Sequence, residues 1–153
     1  MNSSLHTKAL ILFFFLNIFF WGVWGVICVI TPEAWSGQVI PGMNVYDLST
    51  AVARTEVRAM YGGLQIAIGI LALIAIFQPR HRETALLFYV VALTGLASSR
   101  IAGLILEGSE HIFLFTWAVT ADTYNQIGLT SYEFPYCLFA WALFLTRPKV
   151  ESN

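Results

Sequence analysis

Residues 9–30 read ALILFFFLNIFFWGVWGVICVI, an apolar run of about 22 residues interrupted by one amide, Asn17. A helix rises 1.5 Å per residue, so about 20 apolar residues cross the ~30 Å hydrocarbon layer of a bilayer. The run is too long for the apolar stretch of a secretory signal peptide, which holds about 7–15 residues. Trp21, Trp24 and Trp35 suit interfacial anchors. The run therefore reads as a retained first membrane helix. It stops at Thr31-Pro32, because proline cannot continue the hydrogen-bond ladder.

Composition points the same way. The chain has 153 residues, 58% hydrophobic and 11% charged, where an ordinary soluble domain carries about 25% charge. A soluble fold of this length could not hide so much apolar surface, and a lipid-facing one need not. The net charge of −1 supplies no field that would attract nucleic acid. The length suits one domain, residues 1–153. Cys28 and Cys137 read as buried thiols that pack as small hydrophobes.

Three more segments follow. The second helix is expected over about 56–77, ending at Gln78-Pro79. The third covers about 84–106, ending at Glu107-Gly108. The fourth, about 132–146, is short and ends at Arg147-Pro148. Fifteen residues rise only about 22 Å, so this helix either begins earlier or sits beside a thinned or water-filled region. The connection 31–55 holds Pro32, Gly37, Pro41 and Gly42, and is expected to end in a short helix capped by Ser49 or Thr50. The connection 108–131 carries an apolar patch, 112–119, too short to span. The expectation is an all-α integral membrane four-helix bundle with two longer non-cytoplasmic loops.

Orientation follows from the cations. Lys8, Arg80, Arg82, Arg147 and Lys149 share one side of a four-span topology and make up five of the eight Lys and Arg. That side is expected to be cytoplasmic and to hold both termini. Arg80-His81-Arg82 reads as a solvated anchor there.

The informative residues are the ionisable ones near the other end. Charge within a membrane helix costs at least ~2.5–3.5 kcal/mol, so such groups pair or face a cavity. The second helix opens with Glu56-Val57-Arg58-Ala59-Met60-Tyr61-Gly62-Gly63. Arg58, Tyr61, Gly62, Gln65 and Gly69 share a stripe. Glu56 points elsewhere and needs another helix or water. The glycines permit close helix approach, or leave room for a ligand. In the third helix, Arg100 lies about 9 Å below the outer end, on a stripe with Leu93, Leu96, Ala97, Gly103 and Glu107. The fourth helix starts at Glu133. Topology gathers Glu56, Arg58, Tyr61, Arg100, Glu107 and Glu133 at one end of the bundle. Plainer roles stand beside this one. Arg58 can snorkel, Glu133 can complement a helix dipole, Arg100 can form a structural ion pair, and Asn17 can join helices. His111 and Asp122 match no metal-ligand spacing.

The stretch Glu56-Val-Arg-Ala-Met-Tyr-Gly-Gly-Leu, followed by Gly95-Leu-Ala-Ser-Ser-Arg-Ile-Ala-Gly-Leu-Ile-Leu-Glu-Gly, resembles a bacterial family of small membrane proteins known only as domain of unknown function 4345. That family looks related to the DoxX-like four-helix proteins. The resemblance runs from the first helix to the acid of the fourth. It implies a four-helix membrane fold in a bacterial inner membrane. It matches Glu56, Arg58, Tyr61, Gly62, Gly63, Arg100, Gly103 and Glu133 to the family's polar and glycine positions, and implies no chemistry. The interval from Glu107 to Glu133 is longer than the family's usual connection, so the added segment is a candidate for something specific to this chain.

Function follows as expectations. The first is a bundle that binds a lipophilic small molecule, with Tyr61, Gln65, Glu107, Glu133 and Asn17 as binding residues. Glu56, Arg58 and Arg100 are then the catalytic candidates, for acid–base chemistry such as isomerisation or epoxide opening. The second is a non-catalytic accessory subunit of a membrane complex, with the charges as a structural lock. Its partner would be a membrane protein or a second copy of the chain. The third is a transporter, ranked last because four short helices leave little room for a pore. No haem pair, phosphate loop, metal triad or nucleophile motif is present, so no cofactor is expected.

Overall fold

Thr31 leaves helical geometry, with φ −130° and ψ 74°, and the first helix stops at Ile30 just before Pro32. In the computed structural model, which describes residues 3–35, 48–106 and 134–147, the helices are α1 (Ser4–Ile30), α2 (Ala51–Phe77), α3 (Arg82–Leu106) and α4 (Phe134–Leu145). Only helices and short turns occur among the described residues.

The second helix begins at Ala51 rather than near residue 56. Thr50 is its N-cap, and its hydroxyl accepts from the Ala53 N–H at 3.1 Å. No glycine or proline separates Ala51 from Glu56. The short helix expected ahead of the second therefore fuses with it. Arg54 ties down the entry by donating to the carbonyls of Leu48 and Ser49 at 2.8 and 3.1 Å.

The main core lies among all four helices. Phe13 and Phe14 of α1, Ala72 and Ala75 of α2, Leu86, Tyr89 and Leu93 of α3, and Ala140 and Leu143 of α4 are buried there. The Phe13 ring meets Tyr89 edge-on at 5.5 Å and Phe139 edge-on at 5.5 Å. Lipid is as apolar as these side chains, so dispersion and shape hold the bundle rather than expulsion of water. Both cysteines are buried, Cys28 near α2 and Cys137 in the main core.

The α1–α2 pair is closer than side chains would allow. A Cβ on Gly69 would lie 2.7 Å from the Gly22 Cα, and one on Gly25 would lie 2.8 Å from the Ile66 nitrogen. Gly62 packs against Val29 in the same seam. Of the two roles open to these glycines, close approach is the one observed at Gly62 and Gly69. Each helix also widens into a π-helical stretch, Ile18–Val23 in α1 and Val57–Gly63 in α2. π-Helical turns inside α-helices are rare and concentrate at functional places.

The C-termini of α1, α2 and α4 are capped by cations or by donors from elsewhere. Such ends carry unsatisfied carbonyls and partial negative charge. Arg58 donates to the Val29 carbonyl at the end of α1. Arg82 donates to Ala75 and Ile76 at the end of α2, both at 3.1 Å. Arg147 donates to Phe144 at 2.9 Å and pairs with Glu83 at 3.4 Å. His6, buried on α1, donates from Nε2 to Leu143 of α4 at 2.9 Å. Because a carbonyl only accepts, Nε2 must carry the proton. Arg82 is thus not simply a solvated anchor. It closes the helix before it.

Three of the helices are long and apolar enough to cross a membrane, spanning 27, 27 and 25 residues. The described part of α4 is apolar but has 12 residues, about 18 Å of rise. The protein is an all-α membrane bundle.

Candidate functional site

The α2 helix is 27 residues long, or about 40 Å, which exceeds the ~30 Å hydrocarbon layer. Its first turns therefore have room to stand in the interfacial zone. Glu56 and Arg58 lie in those turns and both are exposed. Charged groups at that depth stay solvated, so their cost is small compared with burial. The Arg58 Nε donates to the Val29 carbonyl at 3.1 Å. Among the described residues Glu56 meets no cation.

Tyr61 lies one turn deeper. It is half-buried and packs on the small cluster of Cys28, Leu48 and Val57. Gln65 follows one turn further in. Its Oε1 is buried and has no hydrogen-bond donor among the described residues. Arg58, Tyr61 and Gln65 thus make a polar stripe that runs from the helix end into the interior.

Asn17 lies deeper still, on α1, and is fully buried. Its Nδ2 donates to the Phe13 carbonyl at 2.8 Å, while Oδ1 has no donor. The amide orientation is fixed by that bond, since only NH2 can donate to a carbonyl.

The register of α3 comes from Tyr89, whose hydroxyl donates to the Ile68 carbonyl at 2.6 Å. Arg100 is 11 residues beyond Tyr89 and Arg58 is 10 before Ile68. Both runs amount to roughly 15–17 Å of rise, so the two backbone positions share a depth. The Arg100 side chain lies outside the description, as do Glu107 and Glu133. Arg58, Tyr61 and Gln65 follow one another along α2 into the bundle, and Asn17 lies deeper on α1.

Sequence reasoning took Trp21 for an interfacial anchor. It packs against the main core instead, and its Nε1 is buried without an acceptor. The signal was available, because Trp21 is four residues from Asn17 and shares its face. Sequence reasoning also passed over Thr94. Its hydroxyl accepts from Trp141 Nε1 at 3.0 Å and joins α3 to α4.

These features define a class: small membrane bundles of four helices with a glycine-seamed first pair and polar residues leading in from one end. The chain belongs to the family described as domain of unknown function 4345, which it matches over residues 6–120. The match takes in α1, α2 and α3 and ends before Glu133 and α4, so it is shorter than the resemblance expected. No curated protein and no solved structure matches the chain.

Proposed function

We propose that this membrane protein binds a lipophilic small molecule whose polar part meets Glu56, Arg58 and Tyr61. The observation that carries the reading is Gln65 Oε1, buried without a donor just inside Tyr61. A buried acceptor left unpaired costs about 1–3 kcal/mol, so such atoms are rare unless something else supplies the proton. Glu56 can give or take a proton there, and Arg58 can hold an anionic intermediate, with Arg100 at the same depth. That is acid–base chemistry of the isomerising or epoxide-opening kind. Glu107 and Glu133 belong to this proposal as further acids, and Asn17 as a deeper contact.

The proposal includes a single domain over residues 1–153, with both termini cytoplasmic in a bacterial inner membrane and the polar end facing outward. The relation to DoxX-like proteins belongs to it also.

The test is purification of the full chain followed by mass spectrometry of what copurifies. A lipophilic compound held in stoichiometric amount, and lost from Arg58→Gln and Gln65→Leu, supports the reading. A folded, monodisperse chain that carries only bulk lipid sinks it.

A second reading, an accessory subunit, draws on Arg58. Its Nε is committed to the Val29 carbonyl, as in a structural lock. Copurification of a stoichiometric membrane protein, or of a stable homo-oligomer, favours this reading.

A further inference from the structure

Halfway along α1, the interior holds one acceptor and one donor that no group among the described residues serves. Asn17 Oδ1 is a fixed acceptor, because its Nδ2 is already committed to Phe13. Trp21 Nε1 is a fixed donor, because an indole N–H cannot accept. The two residues are one turn apart on one helix face. Phe13 and Phe20 bracket Asn17 in sequence, and both rings meet Tyr136 of α4, at 5.8 and 5.6 Å. The surroundings are thus aromatic, and Tyr136 adds a buried hydroxyl of its own to the two polar atoms of α1.

We propose that Asn17 and Trp21 form a second site, deep in the bundle, for the hydroxyl of a lipophilic alcohol. A hydroxyl is the smallest group that donates one hydrogen bond and accepts another at a single oxygen. It donates to Asn17 Oδ1 and accepts from Trp21 Nε1. The hydrocarbon part of the ligand lies against the aromatic rings. A ketone or ether serves only Trp21, and an alkane serves neither atom. Burial strengthens this selectivity, since a ligand that leaves one atom unpaired keeps its desolvation cost. The site shares Asn17 with the function proposed above, where it is the deeper contact, but uses none of the groups at the polar end of α2.

The experiment uses the full chain in nanodiscs, titrated with 1-dodecanol, its methyl ether and n-dodecane. The Trp21 indole N–H resonance, assigned through Trp21→Phe, reports binding. Dodecanol is expected to shift it saturably. The ether and the alkane are expected to need about tenfold higher concentrations or to have no effect. Asn17→Leu is expected to weaken dodecanol about tenfold, the upper range for one hydrogen bond. Should that variant misfold, direct binding of radiolabelled dodecanol to Trp21→Phe, which keeps an aromatic ring, is expected to show the same loss. Equal response to all three compounds overturns the proposal. So does a resonance that exchanges with bulk water yet ignores dodecanol, which means bound water only. A titration untouched by Asn17→Leu but abolished by Arg58→Gln moves the hydroxyl to the end of α2 and also overturns it.

Discussion

Gly22 and Gly69 face each other across the α1–α2 seam, yet an added methyl group meets different things at the two positions. At Gly69 it would lie 2.7 Å from the Gly22 Cα, and at Gly22 its nearest neighbour is 3.8 Å away. Backbone cannot rotate aside as a side chain can, so Gly69→Ala must push the helices apart. Overpacking of this kind costs about 1–3 kcal/mol. Gly22→Ala is expected to be near neutral. Gly95→Ala, with no described atom within 4 Å, is expected to be neutral or stabilising by up to ~1 kcal/mol from helix propensity. Thermal unfolding of the three variants in one detergent checks the order, and equal losses at Gly22 and Gly69 would contradict the geometry. The glycine spacing was legible in the sequence as a seam or a ligand space. The choice between them was not, because a glycine carries no side chain whose chemistry names its neighbour. The same holds for Asn17. Its unusual burial was readable from its place in an apolar run. Its unserved oxygen was not, since that depends on which carbonyl takes the other half of the amide.

Helix ends are the weak points of a bundle in lipid, because orphan carbonyls there have few partners. Arg82, reaching from the start of α3, gives two donors to the end of α2. Arg82→Gln keeps some bonding but loses the charge, and is expected to destabilise the fold by about 1–2 kcal/mol. His6→Phe keeps volume but strands the Leu143 carbonyl, and is expected to loosen α4 selectively. Hydrogen exchange checks this, with faster exchange across Phe134–Leu145 and little change in α2. Uniform change across all helices would mean that His6 acts on the whole fold. The stops before Pro32 and Pro79 were readable from chain chemistry alone. The start of α2 was not legible from apolar length, because Arg54, Thr55 and Glu56 interrupt the apolar run and the turn before them is held by its Thr50 cap. The π-helical stretches leave no periodic signature, since they insert a residue without changing residue type. His6 and Leu143 are 137 positions apart, and no local pattern links them.

At the scale of the molecule, long apolar helices and few charges made a membrane bundle the only economical reading, and three spanning helices bear it out. The polar residues of α2 were legible as types and as places along that helix. Glu56 and Arg58 lie on the surface at its N-terminal end rather than in a buried pair, because α2 is longer than the bilayer is thick. Lys8, Arg80, Arg82 and Arg147 lie at the opposite end, where α1 and α3 begin and α2 and α4 finish. A reporter fused to the C-terminus is expected to be active in the cytoplasm, and one inserted within residues 36–47 on the far side. The reverse result would turn the proposed ligand site to face the cell interior.

The seam between α1 and α2 also bears on biogenesis. Both partners are made by the time Phe77 emerges from the ribosome, and their contact needs nothing from later segments. Glycine backbones that touch directly leave no side chains to sort into place, so the hairpin can close while α3 is still being translated. It then serves as a finished wall against which α3 and the short α4 are laid down.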